Sequence, residues 1–125
     1  MSVRGIRGAT TISTNDAAAI LEATEELLLA IQQANASLTP EDIASALFTM
    51  TADLNAAYPA KAARQLGWEK VPLICSQEIP VPDGLPYCIR VLLTWNTDLP
   101  QNKIHHIYLR EAITLRPDLT SDAGS

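Results

Sequence analysis

Only one segment of this chain carries a helical period long enough to cover a sheet, and that limits how the rest can be buried. "TNDAAAILEATEELLLAIQQANA" places Ala17, Ile20, Leu21, Thr24, Leu27, Leu28, Ile31 and Ala34 at three- and four-residue spacing. Asn15 or Thr14 is the expected N-cap, with Asp16 in the first turn. Glu22, Glu25, Glu26, Gln32 and Gln33 fall on the opposite side, a solvated face to which no chemistry is assigned.

The other elements read as short strands and turns, in the order β-α-β-β-β-β. "SVRGIRGATTI" is strand-like. "LTPEDIA" offers Thr39 as cap and Pro40 at the first position of a short helical turn, leading into a strand through Phe48, Thr49 and Met50. "YPAKAARQLGW" is a short helix begun after Pro59 and closed by Gly67. "PLICSQEIPVPDGLPYCIRVLL" reads as a hairpin punctuated by Pro80, Pro82, Asp83 and Gly84. "IHHIYLREAITL" is the last expected strand, and the tail from about residue 117 is expected to fray. The expectation is one α+β domain over residues 1–125: a mixed five-stranded sheet, one long helix and short helical turns.

A single long helix shields one face of such a sheet. Yet "CIRVLLTW" is apolar at consecutive positions, the pattern of a strand buried on both sides. Another copy of the chain, packed in a closed ring, is the simplest cover for the second face.

Composition removes several classes of function. A net charge of −5, with nine basic residues spread along the chain, excludes a general nucleic-acid surface. No apolar run reaches the roughly 20 residues of a membrane span, and the N-terminal "MSVRGIRGATTI" has no signal-peptide pattern, so a cytoplasmic location is the default. Cys75 and Cys88 are expected as free thiols acting as small hydrophobes.

Familiar site chemistries also find little support. His105 and His106 are adjacent on an expected strand, where successive side chains point to opposite faces, so they do not jointly hold a metal. The glycines of "RGIRGA" lie within a strand and form no phosphate loop. No serine or cysteine has a neighbouring histidine in sequence to activate it. What remains is a set of isolated polar residues on apolar strands: Arg7, Cys75, Glu78, Arg90 and Tyr108. Arg90 stands among Cys88, Ile89, Val91 and Leu92, and a buried guanidinium must be paired or face an anion. Glu78 could pair with it across the hairpin. The surplus of strand arginines over strand carboxylates points instead to a small dianion.

Six stretches taken in order, "RGIRGATT", "YPAKAARQLGW", "CSQE", "CIRVLL", "IHHIYL" and "LRPDL", resemble the monofunctional chorismate mutases of the AroH class over nearly the whole chain. The resemblance implies a homotrimer with a mixed-sheet core, a pseudo α/β barrel, and active sites in clefts between subunits. It implies conversion of chorismate to prephenate, on the route to phenylalanine and tyrosine. This is a one-step rearrangement of a dicarboxylate that asks for no metal, cofactor or nucleophile. By the same resemblance Arg7 grips a substrate carboxylate. Arg90 reaches the ether oxygen and a carboxylate, Tyr108 donates its hydroxyl to a carboxylate, and Glu78 and Cys75 contact the ring hydroxyl. Arg90 and Glu78 are the catalytic pair it implies. Leu73, Ile74, Ser76 and Gln77 line the pocket, Tyr58, Ala60, Lys61 and Arg64 form its wall and basic rim, and Leu115 with Arg116 forms a C-terminal cover. The Arg7, Arg90 and Tyr108 group would face the Cys75 and Glu78 group across a subunit interface. Tyr58 stands where the family usually has phenylalanine, Ile74 is larger than its family counterpart, and the loop before Gly67 is one residue shorter; these bear on pocket shape. Two other readings stay open: a trimeric small-anion-binding protein without turnover, and a structural trimer whose arginines form interface ion pairs.

Overall fold

The computed structural model describes residues 2–115. Five strands, β1 (Val3–Thr11), β2 (Ile43–Met50), β3 (Leu73–Gln77), β4 (Cys88–Asn96) and β5 (Ile107–Tyr108), form one mixed sheet in the order β3-β2-β4-β1-β5. Helix α1 (Ala17–Ala34) follows β1, and α2 (Ala60–Gln65) lies between β2 and β3. Single 3-10 turns occupy Pro40–Asp42, Gln101–Lys103 and Arg110–Thr114.

Of the stripe read from the sequence, Ile20, Thr24, Leu27, Leu28 and Ile31 are buried, Leu21 and Ala34 are half-buried and Ala17 is exposed, while Ala23, outside that stripe, is buried with it. Leu27, Leu28 and Ile31 of α1 pack with Ile6, Phe48, Val91, Leu93 and Trp95 of the sheet, and Ile20 and Ala23 pack with Ile12, Leu54 and Ile89. Buried Thr24 is satisfied within the helix, its hydroxyl donating to the Ile20 carbonyl at 2.7 Å. The N-cap is Asp16, whose carboxylate accepts from the Ala19 amide at 3.1 Å. Asn15, expected at that place, instead reaches across to the 55–56 loop, donating to Asn55 Oδ1 and accepting the Asn55 and Ala56 amides. Gly67 ends α2 with φ of +94°, the left-handed turn that only glycine adopts cheaply.

The expected hairpin is not there. β3 pairs in parallel with β2, and β4 lies on the other side of β2, antiparallel to both β2 and β1. The α2 crossover accounts for this: a strand–helix–strand unit returns its second strand parallel to the first. The 78–87 connection is also longer than the roughly two to five residues of an ordinary hairpin loop. The last expected strand shrinks to Ile107–Tyr108. Before it, side chains replace the ladder. Asn35 brackets the His105 backbone with two 3.0 Å bonds, and His106 Nδ1 accepts the Arg7 amide at 2.9 Å. After it, Arg110 takes φ of +54° and starts a 3-10 turn.

The face away from α1 stays largely uncovered in the single chain. Leu47 on β2, Ile74 on β3 and Leu92 on β4 are exposed there, Ile74 to 64%. The Arg110–Thr114 turn folds over part of it, packing Ala112 against Ala9, Cys88 and Tyr108, with Leu85 of the 78–87 connection against the same cluster.

Candidate active site

The arginines sit on that open face because strand alternation puts them there. Ile6 and Gly8 of β1 point to α1, so Arg7 and Ala9 point away. On β4, Ile89 and Val91 point to α1, so Arg90 and Leu92 point away. The β1–β4 register places Arg90 opposite Ala9, and the β2–β4 register places it opposite Thr49. Arg90 is thus anchored on both sides of its strand. Tyr108, paired with Ala9 on the β5 side, joins the same face, and Glu78 arrives just beyond β3, its amide held by the Met50 carbonyl at 2.9 Å.

These side chains, with Thr49 and Leu115, line a cavity of about 150 Å³. Two guanidiniums face one carboxylate, an excess of positive charge suited to an anion. Arg90 Nε lies 3.5 Å from Glu78 Oε2, longer than an ordinary hydrogen bond. Among the described residues neither buried Arg90 Nε nor buried Tyr108 Oη has a hydrogen-bond partner, and such groups are normally satisfied. Both therefore remain open to a ligand in the same cavity. Buried Cys88, two residues before Arg90, has its thiol pushed up from the usual value by burial, with the nearby guanidinium opposing. It is a neutral thiol at ordinary pH, in keeping with a packing role.

The remaining candidates gather elsewhere. Tyr58, Ala60, Arg64, Leu73, Ile74 and Cys75 line a cleft of about 350 Å³ at the β3 edge. Ser76 and Gln77 line a neighbouring one with Tyr58 and Cys75. Lys61 is exposed on α2 beside them. Arg116 lies outside the described residues. The expected grouping needs one correction. Glu78 stands with Arg90 in the same chain and not with Cys75, which shares the α1 side of the sheet with Phe48. The Glu78–Arg90 contact also spans β2 and is not a bond across a hairpin.

Sequence reasoning missed Thr49, whose hydroxyl donates to Glu78 Oε2 at 2.7 Å. It also missed a clamp at the entry to β4. There the Asp53 carboxylate accepts the amide of Tyr87, held at φ of +50°, and Thr51 Oγ1 accepts the Cys88 amide. Threonine is ordinary in strands, so its chemistry left no sequence signal.

The chorismate mutase type I family matches residues 3–119. The chain belongs to that family. Among relatives, the "Chorismate mutase AroH" of Thermus thermophilus is 54% identical over 119 residues, spanning 95% of this chain and 98% of the relative. That of Bacillus subtilis (strain 168) is 48% identical over 121 residues, spanning 96% and 94%. A solved chorismate mutase from Clostridium thermocellum superposes with a TM-score of 0.86 at 46% identity, covering 88% of this chain and 97% of its own. As a chorismate mutase the chain is an isomerase. The cavity of this chorismate mutase presents cations and open donors, with a neutral, buried cysteine behind them. No helix among its described residues is long and apolar enough to cross a membrane.

Proposed function

We infer that this chorismate mutase rearranges chorismate to prephenate at sites assembled between copies of the chain, in a homotrimer. The carrying observation is the convergence of Arg7, Arg90 and Tyr108 on one cavity, with Arg90 Nε and Tyr108 Oη lacking a hydrogen-bond partner among the described residues. The reaction breaks the ether carbon–oxygen bond and forms a carbon–carbon bond in one concerted step, so no atom is gained or lost. What the protein supplies is restraint of the compact conformer and stabilisation of the separating charge. Arg7 holds a carboxylate present throughout. Arg90 donates to the ether oxygen, where negative charge grows, Tyr108 donates to a carboxylate, and Glu78 accepts from the ring hydroxyl and offsets the positive charge growing on the ring.

A single chain brings these four groups together but leaves the pocket around them incomplete. Its cavity of about 150 Å³ falls below the roughly 300–1,000 Å³ of small-molecule pockets. The cleft lined by Tyr58, Arg64, Ile74 and Cys75 lies at the β3 edge, three strands from β1, a span of roughly 14 Å at ordinary strand spacing. That is too far for one small ligand to bridge flat against the sheet. The β3 edge of a second copy, laid over the exposed Leu47, Leu92 and Arg90 face, would close the cavity and cover the apolar surface that α1 leaves bare. Cytoplasmic biosynthesis of aromatic amino acids fits this activity.

Loss of chorismate absorbance tests the reading, with light scattering on the same sample. Turnover by a trimer is expected, with kcat nearly constant between about pH 6 and 9, because no group must give or take a proton. Saturable binding without turnover, or an active monomer, contradicts it.

A further inference from the structure

The geometry points to Thr49 as a positioning residue that holds Glu78 off Arg90, so that neither charge is consumed before substrate arrives. This rests on the reading of Glu78 and Arg90 as substrate-contacting groups. Thr49 lies on β2 directly opposite Arg90 on β4 and Ser76 on β3, and lines the cavity with Arg90 and Glu78. Its hydroxyl bonds Glu78 Oε2 at 2.7 Å, and that same oxygen is the one 3.5 Å from Arg90 Nε. The side chains of Arg90 and Glu78 are only 28% and 27% exposed. In so sheltered a place a guanidinium and a carboxylate ordinarily close to a short, charge-assisted pair. Here they do not, and Arg90 Nε is left without a hydrogen-bond partner among the described residues.

The two bonds to Glu78 explain the difference. The Met50 carbonyl fixes its amide and the Thr49 hydroxyl donates to Oε2, and together they hold the carboxylate at its present distance from Arg90. Valine has nearly the shape of threonine and no donor, so Thr49→Val releases Glu78 towards Arg90. The substrate must then separate a formed ion pair, which raises KM, and Arg90 Nε is no longer aimed into the cavity, which lowers kcat.

Kinetics of the full-length protein and four variants test this: Thr49→Val, Thr49→Ser, Glu78→Gln, and Thr49→Val combined with Glu78→Gln. Thr49→Val is expected to lower kcat/KM by about 10- to 100-fold, the usual range for one hydrogen bond to a charged group. Thr49→Ser should restore most of that loss by restoring the donor. In the Glu78→Gln background the Thr49→Val change should add little, because the charge it controls is gone. If Thr49→Val keeps the parent kcat/KM while Glu78→Gln is impaired, the inference is wrong and the reading of Glu78 stands. If serine fails to rescue, or the valine loss persists undiminished in the Glu78→Gln background, Thr49 acts through packing and the inference is overturned. Parent kinetics in Glu78→Gln itself would overturn both.

Discussion

Replacing Arg90 by citrulline through semisynthesis is expected to lower kcat by at least about 10²–10³, while substrate binding weakens far less. Citrulline keeps the length, planarity and most of the donors of arginine and loses the charge, so shape cannot account for the loss. The backbone of Arg90 is fixed by ladders on both sides, to Ala9 and to Thr49. Its Nε is buried and, though 3.5 Å from Glu78 Oε2, has no hydrogen-bond partner among the described residues. A charge so fixed needs no reorganisation when the ether oxygen becomes negative, which is the condition for strong electrostatic stabilisation. Arg7 provides the contrast. It meets a carboxylate charged in both ground and transition states, so Arg7→Ala should raise KM at least as much as it lowers kcat. Steady-state kinetics on both variants separates them. A citrulline variant within a few-fold of the parent kcat would mean that restraint alone carries the reaction.

The largest expected loss of stability comes from filling the space at Gly8. A Cβ there would stand 2.7 Å from Ile31 Cδ1, 3.3 Å from Leu27 Cδ1 and 3.2 Å from Val91 Cγ1. Glycine therefore lets α1 settle directly on β1. Adding a methyl group to a packed core costs about 1–3 kcal/mol. This exceeds the roughly 0.4–1 kcal/mol that alanine gains by stiffening the unfolded chain. Gly8→Ala should be destabilised, and Gly8→Val should lose about 3 kcal/mol or more, a large share of a stability of about 5–15 kcal/mol. Ile31 Cδ1 is the end of a flexible side chain and can swing aside, but Val91 sits on the central strand and cannot. Urea unfolding checks it. A parent-like midpoint for Gly8→Val would show that α1 does not pack this closely. Arg7 and Ala9 flank Gly8 with side chains in the cavity, so displacement of β1 should also disturb substrate binding.

Local structure was legible where one residue type has one physical use. Ile20, Thr24, Leu27, Leu28 and Ile31 are buried as their spacing requires, Gly67 ends α2, and Pro40 opens its turn. Strand partners were less legible, because adjacency in sequence favours a hairpin and only the helix between β2 and β3 argues otherwise. The shortness of β5 was hidden because Asn35 and His106 do the bonding from a distance in sequence. At the site, Arg7, Glu78 and Arg90 stood out as charges in apolar strands, whereas Thr49 and the Asp53 clamp did not. Of the cleft lined by Tyr58, Arg64 and Cys75, Cys75 stood out as a polar residue on an apolar strand, whereas Tyr58 and Arg64 were visible through family resemblance alone. The consecutive apolar residues of β4 did forecast a sheet with one face left for something else to cover.

Complementation tests directly whether that cover is a second copy completing the site. One variant carries Arg90→Ala, which disables the arginine half. The other carries Tyr58→Asp with Arg64→Glu, which disables the β3-edge half. Each alone should be nearly inactive. Refolded together in equal amounts, they should recover up to about a quarter of parent activity, because random mixing in a symmetric ring pairs one intact half with another at about that fraction of interfaces. Activity no greater than the sum of the two separate variants would mean that each chain holds a whole site, and would contradict the account.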